Sequence, residues 1–306
     1  MDLSGLFNLE FMMFAEMAVG YYLRKRNIIR EQEKGVLTKM VVSILLPASI
    51  INSFNTKIEG DLLTQFAQIL LISCGIQVLC NILASVLYRR TRERRRPILK
   101  YATVVSNAGF LGNAVAEGVY GSEGLLFGQF YLIPLRIVMW TAGLSFFAGK
   151  GKGKDAILNV ITHPCIIAVF IGILRMVLNL PFPAAVDQTL ASLGRCSTPL
   201  IMIFLGTILA DVGFKTMFVQ ENIFFCVIRL LVIPALVTGI LYVIGIRGLA
   251  ASLSVILAAM PAASTTAVLA AQYDADVEFA ADVVVLSTVL SILLLPAWVI
   301  LLGMIF

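Results

Sequence analysis

The stretch Ser106–Val115, SNAGFLGNAV, sets two asparagines and two glycines in the middle of an apolar run. Glycine costs about 1 kcal/mol in a helix interior relative to alanine. An amide left without a partner in an apolar medium costs more, roughly 2–7 kcal/mol. At membrane depth such a stretch survives only where its freed polar groups are packed in protein or line a cavity. Whether it lies in a membrane therefore decides the fold.

The rest of the chain places it there. The 306 residues are 59% hydrophobic and 13% charged, with a mean hydropathy of +0.95. Soluble domains carry about 25% charged residues, so half that fraction points to lipid as the main solvent. Apolar runs such as IGILRMVLNL (171–180) and STPLIMIFLGTILA (197–210) belong to segments near the roughly 20 residues that a spanning helix needs. Their Gly, Pro, Ser and Thr content suits bundled helices. Cys74, Cys80, Cys165, Cys196 and Cys226 lie in apolar stretches without metal-ligand spacing and read as small buried hydrophobes. The first segment is flanked by Asp2 and Glu10 and followed by RKR, the reverse of a cleaved signal, so it reads as a retained span.

Ten spans are expected, near residues 6–23, 36–54, 63–88, 98–120, 124–148, 156–178, 190–210, 219–245, 249–272 and 281–305. The connections alternate in charge. RKRNIIREQEK (24–34), RRTRERRRPILK (89–100) and GKGKGKD (149–155) are basic, whereas NTKIEGD (55–61), YGSEG (120–124) and NLPFPAAVDQ (179–188) are not. The positive-inside rule makes the basic connections cytoplasmic and both termini extracytoplasmic in the plasma (inner) membrane. The net charge of +5 is thereby explained by topology and calls for no nucleic acid. The run Arg89–Arg96 also suits anionic lipid headgroups.

Prolines suggest an internal repeat. Pro47 in ILLPASI and Pro199 in CSTPLIM recur in spans two and seven, and Pro134 in YLIPLRIVMW and Pro296 in LLLPAWVI in spans five and ten. Five spans repeated as five more, residues 1–149 and 150–306, must face opposite ways, which is the inverted repeat of many secondary transporters. Span four, with SNAGFLGNAV, then corresponds to span nine, with MPAASTTAV (260–268). Two interrupted helices crossing at their breaks would gather half-helix N-termini around one point, a setting for an anion. Asn107, Ser264, Thr265 and Thr266 would add directed hydrogen bonds. The alternative is close packing through small residues.

The same residues carry a family resemblance. Residues 20–54 (GYYLRKRNIIREQEKGVLTKMVVSILLPASIINSF), 106–121 (SNAGFLGNAVAEGVYG), 198–211 (TPLIMIFLGTILAD), 260–276 (MPAASTTAVLAAQYDAD) and 283–299 (VVVLSTVLSILLLPAWV) resemble the auxin efflux carrier family of membrane transporters. The resemblance runs in order through essentially the whole chain. It implies an all-α integral membrane fold of ten helices, as two inverted five-helix repeats with crossover helices in spans four and nine. It also implies a scaffold of spans one, two, six and seven beside a moving transport domain of spans three to five and eight to ten. Substrates in this family include auxin, malonate, malate and related carboxylates. Asn107 matches the crossover asparagine and Pro261 the crossover proline of the second repeat. Where the family usually has Gly-Ile-Pro in span four, this chain has Gly112-Asn113-Ala114, so glycine and an extra amide are expected to open the first crossover. The long cytoplasmic loop of many plant exporters is replaced by GKGKGKD.

Charged residues within spans are costly and usually functional. Arg136, two residues after Pro134, suits a carboxylate substrate or an internal salt bridge to Glu117. Glu117 and Glu16 are candidates for proton coupling; Glu117 could equally reach the outer interface, and Glu16 could serve as an interhelical hydrogen-bond partner. Arg229 is expected to snorkel toward the cytoplasmic side. His163, before Pro164, reads as an interfacial structural residue.

These observations point to a secondary active or facilitative transporter of a small organic anion, a mono- or dicarboxylate, by alternating access of the elevator type. The substrate-binding set is Asn107, Gly109, Asn113, Arg136, Pro261, Ser264, Thr265 and Thr266. A coupled proton or sodium ion, membrane lipids and a second copy in a homodimer are its expected partners; no cofactor or metal is expected. No G-x-x-x-x-G-K-[ST] motif supports ATP-driven pumping, and no H-E-x-x-H or G-x-S-x-G supports an intramembrane enzyme. A ligand-binding membrane sensor would use the same anion site without translocation.

Overall fold

The computed structural model describes residues 3–55, 62–148, 162, 164–178, 180–211 and 217–306. His163, all of GKGKGKD and all of NTKIEGD except Asn55 lie outside the described residues. Among the described residues the fold is helical without strands. The first half comprises α1 (Leu3–Lys25), α2 (Glu31–Met40), α3 (Leu46–Ser53), α4 (Leu62–Leu87), α5 (Arg96–Val104), α6 (Leu111–Val138) and α7 (Leu144–Ala148). The second comprises α8 (Pro164–Leu178), α9 (Ala184–Arg195), α10 (Ser197–Asp211), α11 (Gln220–Val227), α12 (Ile233–Ile244), α13 (Leu249–Ala258), α14 (Thr265–Gln272) and α15 (Val277–Ile305). Wherever they are described, the ten expected ranges fall on helix to within a residue or two of their ends; Thr162 and Cys196 are turns, and two ranges are broken in the middle.

By length and apolarity, six helical stretches among the described residues are able to cross a membrane: Glu31–Asn52, Leu63–Leu87, Leu111–Phe147, Ala184–Asp211, Gln220–Ile244 and Val277–Ile305. Their outer sides are apolar. Leu71 is 68% exposed and Val243 85%. Broken helices fall below a spanning length: α5 has 9 residues, α13 has 10 and α14 has 8. Conversely, α6 runs through a sharp change of backbone direction at Gly121 (φ 65°, ψ −156°), a conformation only glycine adopts without strain.

Prolines widen the helices locally. The π turns Val41–Leu45 and Ile228–Val232 immediately precede α3 and α12, which carry Pro47 and Pro234 near their starts. Proline lacks the N–H that would serve the carbonyl four residues earlier, and its ring pushes that carbonyl aside. Leu230, the residue so deprived by Pro234, has its carbonyl satisfied by Trp298 Nε1 at 2.9 Å.

Two packing groups result. In one, α1 lies along α10, and α3 packs on α8 and α9. At the α1–α10 contact the backbones touch: a Cβ on Gly20 would strike the Ile203 carbonyl, and one on Gly206 the Met17 carbonyl. In the other group, α4 and α13 pack on α6, α14 and α11 pack on α15, and α5 packs on α4. The three buried cysteines, Cys80, Cys165 and Cys226, match the sequence reading, whereas Cys74 and Cys196 are exposed.

Candidate functional site

The first break follows from its residues. Helix α5 ends at Val104, Val105 and Ser106 are extended, and Asn107–Gly109 form one 3-10 turn before α6 begins. At the second break, α13 ends at Ala258 and α14 begins at Thr265, with Pro261 between them. The breaks meet. Ser106 and Ala262 form an isolated antiparallel bridge, in which Asn107 N–H donates to the Pro261 carbonyl at 2.7 Å and Ala263 N–H to the Val105 carbonyl at 3.3 Å. Main-chain groups freed by one interruption are thus satisfied by the other, which lets both breaks exist in a buried setting. Gly112 permits the close approach, since a Cβ there would lie 2.8 Å from Leu257 Cδ2 of α13.

Beside the crossing is a cavity of about 530 Å³. It brings together Asn107, Gly109, Arg136, Ser264 and Thr265 from the expected set, along with Ser106, which sequence reasoning left out although it stands in the same break. A Cβ on Gly109 would meet nothing within 4 Å, so that glycine borders open space. Most of the remaining wall is apolar, including Leu46, Phe110, Leu132, Leu135 and Phe204.

The polar lining is rich in donors without acceptors. Ser106 Oγ, Asn107 Nδ2 and Arg136 Nη1 are buried and have no hydrogen-bond partner. Arg136 is 6% exposed and makes no ion pair among the described residues. The salt bridge to Glu117 allowed by the sequence is not formed; Glu117 is exposed on the first part of α6. The one carboxylate in the lining, Glu31, is engaged by Arg24 at 3.1 Å and Lys34 at 2.7 Å. Thr265 Oγ1 is shared with the Tyr101 hydroxyl at 3.0 Å.

Other expected residues lie off the cavity wall. Asn113 donates from Nδ2 to the Gly109 carbonyl at 2.8 Å and accepts from Gln129 at 3.1 Å, so it ties the two parts of α6 together. Pro261 contributes its carbonyl to the crossing, and Thr266 is fully buried with Oγ1 unpartnered. Glu16 is half-buried on α1 and its Oε2 has no partner.

Arg229 corrects the sequence reading most. Rather than snorkelling, it is 1% exposed, and its guanidinium donates from Nε to the Met260 carbonyl and from Nη1 to the Thr103 carbonyl, both at 2.9 Å. The basic run is also partly used internally. Arg95 bonds Glu221 at 2.6 Å and Asp276 at 2.9 Å, and Arg94 bonds Asp274 at 3.2 Å.

The sequence matches the membrane transport protein family over residues 11–160 and again over 153–299. An uncharacterized transporter of Methanothermobacter thermautotrophicus is 30% identical over 287 residues, covering 92% of this chain and 93% of that protein. One from Methanocaldococcus jannaschii is 25% identical over 291 residues, with the same coverage of each. One from Escherichia coli K12 is 20% identical over 230 residues, covering 71% of this chain and 72% of its own.

Proposed function

The chain belongs to the membrane transport protein family, the auxin efflux carriers, and we propose that it carries a small organic anion with a carboxylate group. One observation carries the reading: three buried donors without acceptors, one of them a guanidinium, line a single cavity at the crossing of two broken helices. An unpaired buried cation is expensive, and a carboxylate offers the fork of acceptors that arginine fits. A cavity of about 530 Å³ holds a mono- or dicarboxylate with an apolar body against Phe110, Leu132 and Leu135.

The anion is carried by a ten-span inverted repeat. The packing supports it: α1 on α10 is span one on span seven, and α8 on α3 is its exchanged counterpart, span six on span two. These six helical segments, α1–α3 and α8–α10, form the scaffold, and the crossing belongs to the moving domain. The cavity reaches Glu31, Lys34 and Gly35 beside the basic connection at 24–34, so it opens toward the cytoplasm.

Counterflow in proteoliposomes tests the proposal. Vesicles preloaded with unlabelled malonate, malate or indole-3-acetate should accumulate the labelled form of at least one of them. Binding without exchange of any of these would replace the carrier with a sensor. Neither binding nor exchange would overturn the anion reading.

A further inference from the structure

The crossing has two electrical sides. Helices α5 and α13 both reach it with their C-terminal ends, where unsatisfied carbonyls sum to a partial negative charge. Helices α6 and α14 both leave it with their N-terminal ends. Two carbonyl ends brought together repel each other and attract a cation. The cation is already present in the chain. The Arg229 guanidinium donates to Thr103 of α5 and Met260 beside α13, with the Cys80 sulfur 3.8 Å from Nη1. No carboxylate pairs with it among the described residues; its hydrogen-bond partners are two main-chain carbonyls and that sulfur. It projects from the π turn Ile228–Val232, a kind of irregularity often found at functional sites.

We propose that Arg229 is a fixed cation that holds the carbonyl ends of both broken helices together, and so positions the donor side of the crossing for the anion. This rests on the anion-carrier reading for its purpose, though not for its geometry. The planar fork of arginine reaches two carbonyls at once; the point charge of lysine does not replace it.

The geometry can be tested without any substrate. Ser106 and Ala262 are a non-hydrogen-bonded antiparallel pair, whose Cα atoms ordinarily lie about 4.5 Å apart, within disulfide reach. In a chain freed of its five native cysteines, Ser106→Cys with Ala262→Cys should cross-link under mild oxidation. Adding Arg229→Ala should slow cross-linking by about tenfold or more, because two buried carbonyls lose their donor. Millimolar guanidinium should restore the rate, and urea, neutral and of similar shape, should not. Arg229→Lys, for use if the alanine variant aggregates, should fall between the two. Cross-linking at the parent rate in either variant, or rescue by urea equal to that by guanidinium, would overturn the proposal. Counterflow of malonate, malate and indole-3-acetate by the wild-type protein, set beside the cross-linking, separates the two readings. A wild-type protein that exchanges no carboxylate sinks the carrier reading alone, whereas cross-linking indifferent to Arg229 sinks this one alone.

Discussion

The two breaks face the same crossing but dispose of their polar groups differently. At the second, Ala262 N–H donates to Ser287 Oγ at 3.2 Å, Ala263 N–H to Val105, and the Thr265 hydroxyl is shared with Tyr101. At the first, Ser106 Oγ and Asn107 Nδ2 are left without partners on the cavity wall. The second break is tied from α15 and from the first break, though Ser264 and Thr265 also reach the cavity, while serine and asparagine leave polar atoms of the first unpartnered there. The two breaks thus differ in environment, and we propose a matching division of roles: the second holds the crossing together and the first meets the anion.

Removing the guanidinium that faces the open break should have the largest effect. Arg136→Gln is expected to weaken carboxylate binding by about 2–5 kcal/mol, the usual consequence of truncating one member of a buried charged pair. Isothermal titration of the purified protein would measure it, and a loss below tenfold would show that Arg136 is not the counter-charge. Asn107→Ala should cost about 1–3 kcal/mol of affinity, with its melting temperature nearly unchanged because its amide has no protein partner to lose. Ser287→Ala should do the reverse. It strands Ala262 N–H and should lower stability by about 1–3 kcal/mol while affinity stays within twofold. If Asn107→Ala lowered melting and Ser287→Ala lowered affinity, the division of roles would be inverted. Thr265→Val should weaken binding by less than about 1 kcal/mol, since its hydroxyl is already shared with Tyr101.

The smallest effect lies at the start of α15. Asp276 caps α15, accepting from Phe279 N–H at 3.1 Å and from Arg95. Burial pushes its carboxyl up, but the bonds from Arg95 and the Phe279 N–H outweigh that and hold it below the ordinary 3.8. A depressed folded value stabilises above the unfolded one and loses that stabilisation as pH falls through the folded value. Asp276→Asn should therefore lower stability by under about 1 kcal/mol at neutral pH, a difference that narrows as pH falls from neutrality through the lowered folded value. Thermal unfolding of both proteins across that range would show whether the gap closes.

What the sequence disclosed and what it withheld have a common cause. The breaks are legible because glycine, asparagine and proline act on their own backbone, and the alternation of basic connections needs only counting. Asn107, Gly109, Ser264 and Thr265 are within or beside those breaks, so the sequence singles them out along with the breaks, and all four line the cavity. Arg229 was misread because its partners are carbonyls 31 and 126 residues away, which carry no side-chain signature. The sequence does not display that Asn113 stands off the cavity wall, because its partner Gln129, 16 residues on, comes back against it only after the turn at Gly121. Ser106 had the signal of position alone.

The glycine contact between α1 and α10 has a mechanical meaning. At Gly20 and Gly206 there is no clearance: each backbone occupies the space a methyl group would need on the other. Sliding one helix along the other by a single residue would replace a glycine with a side chain at a point where no atom fits. Shear along this seam is therefore blocked in both directions. The pair behaves as one beam, and any stroke the protein makes must be taken up at other joints.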